Sequence, residues 1–358
     1  MRFGLIGTGL MAQEHIRNLA LIPEVRIVGL ADPVAGSLEW ARQSLGARAA
    51  DAAFFADTDT MLRETRPDAV IISSPNHTHH EILSRLLGTG LHILCEKPMA
   101  TTMADAHDIA RLAAGHRGIF WIGMEYRFMP PVQRFIEQIR DERIGTLRRI
   151  AMHEHRFPFL PKVGDWNRFN RNTGGTMVEK CCHFFDLMRD IVGSEPKRIF
   201  CSGAADVNHR DERYDGRVPD IIDNSFTIVE FESGVRGMLD LCMFAEGAEE
   251  QEQLVAIGDD AKLEVGIPSG MLSFSPRVPV GAEKRVMREH VGVDEAVLAA
   301  GHHHGATFYQ LRGFIDAIAG RGKVAVTARD GLVAVAMGVA AETSAREGRA
   351  VLLSELLG

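Results

Sequence analysis

The feature that most constrains the fold of this chain is a glycine-rich turn between a short apolar strand and a helical pattern. In the segment RFGLIGTGLMAQEHIRNLALI, the turn places Gly7, Gly9 and Ala12 in the spacing G-x-G-x-x-A. The first glycine permits a tight turn, the second lets the backbone approach a pyrophosphate, and the small third residue lets helix and strand pack closely. Free N–H groups at the start of the helix favour an anion. The turn therefore predicts a dinucleotide-binding unit.

A carboxylate at the end of the second apolar strand, VRIVGLADP, bears on the choice of cofactor. Asp32 stands twenty residues beyond Ala12. At this spacing a carboxylate accepts hydrogen bonds from the adenosine ribose and repels a 2′-phosphate. The sequence therefore favours NAD over NADP. The alternative, that Asp32 and Pro33 only begin a turn, stays open at this point.

Strands and helical patterns continue to alternate through the first third of the chain, which predicts a doubly wound parallel sheet. Ligands of such sheets bind beyond the carboxyl ends of the strands. The segments SSPNHTHH, CEKP and MEYRF each follow a strand, so we expect them at one edge. In CEKP, Pro98 disfavours the helical conformation for Lys97. That strand-end position favours a functional lysine over a surface lysine paired with Glu96.

Charge and cysteine content exclude several classes of function. The net charge is −8 and the 40 basic residues are scattered, whereas a nucleic-acid or anionic-membrane partner needs a basic face. Five cysteines without framework spacing are typical of a reducing compartment. The chain begins at once with a strand and has no apolar run long enough to cross a bilayer. We therefore expect a cytoplasmic protein with neither nucleic acid nor membrane as a partner.

Six motifs occur in a fixed order: GTGLMA, ADP, SSPNHTHH, CEKP, MEYRF and GGTMVEKCCHFFD. In this order they resemble the glucose–fructose oxidoreductase, inositol dehydrogenase and rhizopine catabolism (Gfo/Idh/MocA) oxidoreductase family. The resemblance implies an α/β protein with an N-terminal Rossmann domain over residues 1–123. It also implies a C-terminal α+β substrate domain over 124–358 with a large open, mostly antiparallel sheet, whose last helix packs back on the first domain. A homo-oligomer, dimer or tetramer, is implied as well.

The resemblance assigns roles to individual residues. The catalytic lysine falls on Lys97, and the helix motif of the family places a histidine at His183. Where the family usually has an aspartate this chain has Glu179, and where it has a small residue the chain has Cys181. These departures leave the contact made by Glu179 open, to substrate or to histidine. We predict Lys97, His183 and Glu179 as the catalytic residues.

The segment GGTMVEKCCHFFD has four interpretations: a metal site, a redox pair of cysteines, a nucleophile with its base, or a helix that brings one histidine to a substrate. The helix that we predict from Met177 onward decides between them. Residues four apart share a helical face, so Glu179 and His183 should point the same way. Cys181 and Cys182 diverge by about 100° on a helix, which disfavours both a metal site and a disulfide. We therefore expect packed cysteines and no metal. His183 is either a core histidine or the general acid/base of an alcohol oxidation, with Lys97 stabilising the alkoxide.

The predicted cofactor-binding residues share the strand-end edge and the glycine turn; they are Gly7, Gly9, Leu10, Met11, Ala12, Asp32, Ser74, Pro75, Asn76, His79, Glu96, Lys97 and Arg127. The predicted substrate-binding residues come from the MEYRF motif, the loop DWNRFNRNTGG, the catalytic helix and the segment GHHHGATFYQ; they are Tyr126, Trp166, Arg168, Asn172, His183, His304 and Tyr309. Trp166 is equally a loop anchor, and the histidines of the last segment, His303 included, are equally surface residues.

The expected function is NAD-dependent hydride transfer from a secondary hydroxyl of a sugar, cyclic polyol or sugar derivative. An alternative with the same cofactor is a glycosidase that oxidises, eliminates, hydrates and re-reduces. A third, a nucleotide-sensing protein without chemistry, would lack the lysine or the histidine, and both are present.

Overall fold

The glycine turn opens a six-stranded parallel sheet in the computed structural model, which describes all residues from Met1 to Gly358. The strand order is β3-β2-β1-β4-β5-β6. Its strands are β1 (Arg2–Ile6), β2 (Arg26–Ala31), β3 (Ala53–Phe55), β4 (Ala69–Ile72), β5 (His92–Glu96) and β6 (Phe120–Gly123). Its helices are α1 (Leu10–Leu19), α2 (Ala35–Leu45), α3 (Thr58–Thr65), α4 (His79–Leu86) and α5 (Met103–Ala113). The predicted doubly wound sheet is confirmed.

Burial explains why these strands are apolar throughout. Every residue of β4 is buried, because helices cover both faces of a parallel sheet. Side chains cap the N-termini of α3 and α5: the Asp57 carboxylate accepts a hydrogen bond from the Thr60 N–H, and the Thr102 hydroxyl accepts one from the Asp105 N–H. Such caps satisfy backbone donors that have no partner within the helix.

The second half of the chain forms a nine-stranded sheet of order β14-β13-β12-β11-β7-β10-β9-β8-β15. Its strands are β7 (Leu147–His155), β8 (Pro196–Ala204), β9 (Asn224–Phe231), β10 (Arg236–Cys242), β11 (Glu252–Gly258), β12 (Ala261–Ile267), β13 (Met271–Pro276), β14 (Met287–His290) and β15 (Val351–Leu352). β7 and β10 pair in parallel and all other neighbours pair antiparallel. The predicted mostly antiparallel sheet is confirmed.

Eight helices accompany this sheet: α6 (Pro130–Arg140), α7 (Asn170–Thr173), α8 (Thr176–Glu179), α9 (Cys182–Val192), α10 (Glu295–Ala299), α11 (Ala306–Ile318), α12 (Ala328–Glu347) and α13 (Ser354–Leu357). The sheet buries one face, as the alternating burial of β9 and β11 shows. No helix is both long enough and apolar enough to cross a membrane. Helix α12 lies between the halves: Val335 belongs to the apolar core of the first, and Met337 to that of the second.

The segment 266–305, which contains several prolines and glycines, forms β13, β14 and α10. All four residues of β14 are exposed. An edge strand of this kind carries no apolar alternation, so the sequence pattern gave no signal for it.

Arg127 was predicted to bind the cofactor, and the structure places it in an ion-pair cluster instead. Its guanidinium donates to both carboxylate oxygens of Asp186, with Nε at 2.6 Å, and to Asp190 at 3.0 Å. It lies 3.6 Å from Asp330 and also donates to the Ala325 carbonyl. Because every face of the guanidinium is engaged, the prediction for Arg127 is wrong. The residue ties α9 to the start of α12.

We expect Arg127→Met to destabilise the protein by about 3–5 kcal/mol, since it leaves the buried Asp186 carboxylate unpaired. Urea unfolding measures the change. The control is Arg140→Met, because Arg140 pairs with Asp190 from a side chain that is 63% exposed. That variant should lose about 1 kcal/mol or less. Equal losses in both variants would contradict the assignment of Arg127.

Candidate active site

A groove of about 680 Å³ lies at the carboxyl ends of the parallel strands. Most of the predicted cofactor residues line it: Gly7, Gly9, Leu10, Met11, Asp32, Ser74, Pro75, Asn76, Glu96 and Lys97. The strand-end segments therefore meet at one edge of the sheet, as their positions predicted.

The two glycines of the turn have different surroundings. Gly7 has a φ of +84°, and a Cβ added there would lie 2.5 Å from the backbone nitrogen of Ser74. Only glycine fits so close an approach of the turn to the end of β4. A Cβ on Gly9 would meet nothing within 4 Å, so a side chain there would enter the groove. The turn thus leaves room for a pyrophosphate at the start of α1 and fits a dinucleotide.

Asp32 is fixed at the end of β2 by three hydrogen bonds. Its Oδ2 accepts from the N–H and the hydroxyl of Thr8, at 2.8 and 3.1 Å, and its Oδ1 accepts from the Val34 N–H at 2.8 Å. A carboxylate oxygen has two lone pairs, so Oδ1 keeps one for a further donor. The carboxylate borders the groove and suits a ribose hydroxyl.

Ala12 and His79 lie behind the groove rather than in it. Ala12 is fully buried at the start of α1. The His79 ring is also fully buried, with Nδ1 2.9 Å from the Pro98 carbonyl oxygen and Nε2 3.1 Å from that of Ser74. His79 therefore joins the loop after β4 to the loop after β5. It positions groove residues. Because its ring is buried and faces two backbone carbonyls, the structure does not support the predicted direct contact of His79 with the cofactor.

The predicted continuous helix over GGTMVEKCCHFFD is broken in its middle. Helix α8 ends at Glu179 and α9 begins at Cys182, because the Cys181 N–H bonds to the carbonyl of Thr176, five residues back. This wider turn rotates the two helices relative to each other. Glu179 and His183 therefore do not share a helical face, and that prediction is wrong.

Glu179 contacts two lysines. Its carboxylate lies 3.5 Å from the Lys162 ammonium, and its backbone carbonyl accepts a hydrogen bond from the Lys97 ammonium at 3.3 Å. The other carboxylate oxygen of Glu179 is buried without a hydrogen-bond partner. Glu179 therefore holds Lys97 and Lys162 at the edge of the groove, and its contact is to these cations and not to the histidine.

The carboxylate beside His183 is that of Glu125. His183 Nε2 lies 3.5 Å from Glu125 Oε1, and both side chains are almost wholly buried. The ring of Tyr126 stacks on the imidazole at 4.2 Å between centroids and 7° between planes. The Tyr126 hydroxyl accepts from Lys180 at 2.6 Å and donates to Glu252 at 3.1 Å. Tyr126, predicted to touch substrate, is instead buried and orients the histidine.

Burial and neighbouring charges shift the pKa values of His183, Glu125 and Lys97. Burial first, then the charges of Lys97 and Lys180, hold the pKa of His183 well below its usual value, so the ring is neutral. Burial, then the charge of Glu96, raises the pKa of Glu125 to about 7. Burial alone would lower the pKa of Lys97, but Cys182 and the neighbouring carboxylates raise it. A neutral imidazole, a carboxyl group near half-protonation and an ammonium thus meet here.

The histidine run reaches this region through His303, not through the predicted His304. His303 Nδ1 lies 2.8 Å from a carboxylate oxygen of Glu14, which also accepts from the Thr307 hydroxyl. Burial would lower the pKa of His303, but the hydrogen bond and charge of Glu14 raise it. His304 and Tyr309 are partly buried and do not line the groove.

The loop before α7 gives a mixed outcome. Trp166 lines the groove, with the Lys162 ammonium 4.7 Å from its ring centroid, and also borders a second cavity of about 660 Å³. Asn172 lines that second cavity and donates to the Trp166 carbonyl. Arg168 is buried and donates to Glu212 at 2.8 Å, outside both cavities. The substrate contact predicted for Arg168 therefore stays a prediction, and its Nη1 is buried without a hydrogen-bond partner.

Sequence reasoning missed Glu125, Lys162, Lys180, Glu14 and His15. A signal existed for His15, because it stands with Ala12, Ile16 and Leu19 on the apolar stripe of α1, and it bonds Glu96 at 2.8 Å. Glu125 lies in a strand-end motif that was placed at the correct edge. Nothing local marks the two lysines.

Comparison with known proteins gives consistent matches. A family described as oxidoreductases with an NAD-binding Rossmann fold (GFO_IDH_MocA) matches residues 1–124, and its C-terminal alpha/beta domain matches residues 136–353. Myo-inositol 2-dehydrogenase of Thermotoga maritima is 25% identical, with full coverage of both chains. Rhizopine catabolism protein MocA of Rhizobium meliloti is 30% identical over 54% of this chain and 58% of its own length.

Two further matches bear on fold and chemistry. The structure of a levoglucosan dehydrogenase with NADH and levoglucosan has a TM-score of 0.85 at 19% identity and 99% coverage of both chains. At this identity the likeness shows the fold. A 2,7-anhydro-N-acetylneuraminate hydratase of Mediterraneibacter gnavus is 25% identical over 64% of this chain and 61% of its own length.

We expect Glu125→Gln to change the pH dependence of stability. Folding raises the pKa of Glu125 from 4.5 to about 7, so the folded protein binds this proton more tightly than the unfolded chain. Its contribution is therefore favourable at low pH and is lost as the pH rises to about 7. The variant should gain stability relative to the wild type from pH 5 to pH 8, by about 3 kcal/mol at most.

Urea unfolding at pH 5 and pH 8 measures this difference. Glu283→Gln is the control, because Glu283 is exposed in a surface loop. If the stability difference between Glu125→Gln and the wild type is the same at both pH values, the raised pKa of Glu125 is refuted.

Proposed function

Because the chain belongs to the Gfo/Idh/MocA oxidoreductase family, we propose that it oxidises a secondary hydroxyl of a sugar, cyclic polyol or sugar derivative with NAD. The observation that carries this proposal is the neutral, buried imidazole of His183 beside Glu125 and the Lys97 ammonium. The names of the relatives, inositol and levoglucosan dehydrogenases, support a polyhydroxylated ring as substrate.

The residues of the groove fit NAD. The turn at Gly7 and Gly9 would hold the pyrophosphate, and Asp32 would accept from the ribose. β2 and β5 are three strands apart, about 14 Å, so Asp32 and Lys97 serve different ends of an extended ligand. When bound, the nicotinamide supplies the hydride acceptor. The negative charge of Asp32 disfavours NADP.

Proton transfer falls to His183. A neutral imidazole accepts the substrate hydroxyl proton as the hydride departs, and its Nδ1 is buried without a hydrogen-bond partner. Both Glu125 carboxylate oxygens also lack one, so the pair has free hydrogen-bonding capacity for a hydroxyl or a proton. The Lys97 ammonium stabilises the developing alkoxide. Glu179 and Tyr126 position these groups. In the reverse assignment, Lys97 accepts the proton and His183 stabilises the alkoxide.

A second candidate keeps the cofactor and ends in glycoside cleavage by oxidation, elimination, hydration and re-reduction. The raised pKa of Glu125, about 7, favours it, because elimination and hydration each need a further group that exchanges protons near neutrality. The hydratase among the relatives adds support.

A panel of inositols, hexoses and glycosides, incubated with NAD, tests the proposed function. Accumulation of NADH supports the dehydrogenase. Release of aglycone without net NADH supports the glycosidase. Failure of NADH to bind, measured by its fluorescence, would contradict both.

We also propose that the chain forms a homo-oligomer through the outer face of the nine-stranded sheet. Phe200, Phe226 and Ile228 expose 42%, 61% and 49% of their surface there. Exposed apolar patches of this kind mark protein contacts. Light scattering of the purified protein distinguishes a monomer from a dimer or tetramer. For the cellular location we propose the cytoplasm, since all five cysteines are free thiols.

We expect Lys97→Met and His183→Ala each to lower kcat by about 10²- to 10⁴-fold, since each removes a group that acts in the transition state. Steady-state kinetics with the substrate found in the panel measures this. His183→Ala should bind NADH as the wild type does, because His183 does not line the groove. His290→Ala, on the exposed strand β14, is the control. Wild-type turnover by either variant would refute the assignment.

We expect Asp32→Asn to weaken NAD binding about tenfold or more and to improve NADP binding, because it removes a charged hydrogen-bond acceptor and the repulsion of a 2′-phosphate. Fluorescence titration with NADH and NADPH gives the two affinities. Asp211→Asn, in an exposed loop, should alter neither. An unchanged ratio of the affinities would show that Asp32 does not select the cofactor.

A further inference from the structure

We propose that His153, His155 and Asp240 bind a divalent transition-metal ion of the zinc class on the outer face of the nine-stranded sheet. One ligand atom from each of these side chains lies within 4.8 Å of the other two. The site is outside the proposed active site and does not depend on the proposed function. The sequence predicted no metal.

Strand geometry brings the three residues together. His153 and His155 are two apart on β7, so their side chains project from the same face. β10 pairs with β7 in parallel, and Asp240 is the direct partner of His153 in that register. The three side chains therefore share one patch of the sheet. Because Asp240 comes from a strand far along the chain, spacing alone could not reveal the cluster.

The distances are compatible with metal ligands and are longer than those of good hydrogen bonds. Asp240 Oδ2 lies 3.3 Å from His153 Nδ1 and 3.4 Å from His155 Nε2. Hydrogen bonds of this type are usually about 2.7–3.2 Å. With bonds of about 2.0–2.2 Å to a tetrahedral zinc ion, two ligand atoms stand roughly 3.3–3.6 Å apart. One carboxylate oxygen facing two imidazole nitrogens at this spacing matches one side of a tetrahedral site.

The ligand types select the metal. Two imidazoles and one carboxylate suit zinc, cobalt or nickel, whereas calcium and magnesium require oxygen ligands. In the single chain the side chains of His153 and His155 are 30% and 35% exposed. Because Asp240 is the direct partner of Phe226, the site borders the face proposed above for oligomer contacts. Three protein ligands leave the fourth position open to water.

The sheet separates this site from His183 and Lys97. Glu154 stands between the two histidines on β7, projects to the opposite face and bonds the Lys180 ammonium at 2.8 Å. A bound ion would therefore not enter the reaction. It would cross-link β7 to β10, the one parallel pair of this sheet, and parallel pairing is slightly less stable per residue. We assign the ion a structural role.

The test is zinc binding to the purified full chain after treatment with a chelator. Isothermal titration calorimetry should show one zinc ion bound per chain. Thermal unfolding should show a higher melting temperature with zinc than without it. His153→Gln, His155→Gln and Asp240→Asn should each raise the Kd about tenfold or more, since loss of a ligand costs at least as much as loss of its outer partner. His290→Gln is the control, because it removes an exposed histidine of the same sheet.

Cobalt absorption provides a second measurement. Cobalt bound by these residues should give the visible bands of a tetrahedral complex, and the bands should be absent from Asp240→Asn. Circular dichroism identifies any variant that fails to fold, and the other single variants then decide. If the wild type binds no zinc, or if all three variants bind it as His290→Gln does, the residues form ion pairs only and the proposal is overturned.

Discussion

The pairing of buried polar and charged side chains around the groove is the constraint on which the rest of the structure depends. An ionised side chain removed from water is costly unless an opposite charge lies beside it. Here Glu14 meets His303, His15 meets Glu96, and Lys180 meets Glu154. The first of these pairs joins α1 to the segment before α11, and Lys97 joins the end of β5 to Glu179. Each pair fixes the position of one element against another, so the groove and its lysine have a defined geometry.

His183 and Glu125 differ from these pairs because they are not held together by a close hydrogen bond. They lie 3.5 Å apart, too far for a good hydrogen bond, and the structure gives neither carboxylate oxygen of Glu125 a partner. Burial then acts on the two groups in opposite senses, lowering the pKa of the histidine and raising that of the carboxyl. Groups tuned apart in this manner are a common property of acid–base sites. The stacked ring of Tyr126 holds the imidazole in place.

The sequence predicted well whatever depends on local periodicity and on strand ends. The glycine turn, the parallel sheet, Asp32 and Lys97 all follow from patterns within a few residues, and the groove contains them. Sequence patterns failed to predict features that depend on a partner from a distant segment of the chain. Helix α8 ends early with no glycine or proline to mark the break, while the next residue, Lys180, has buried partners, Tyr126 and Glu154, that come from other segments. Likewise, the position of Arg127 is set by carboxylates of α9 and α12, which come later in the chain.

Helix α12 has a consequence for the independence of the two halves. Its residues are divided between the two apolar cores: Leu332 and Val335 belong to the first, and Val333 and Ala336 to the second. The first sheet is thus completed by a helix that the chain supplies only near its end. A polypeptide cut between the sheets would keep every strand of the first sheet and still expose an apolar furrow. The first half therefore depends on α12 to complete its core, and the chain must be nearly whole before either core closes.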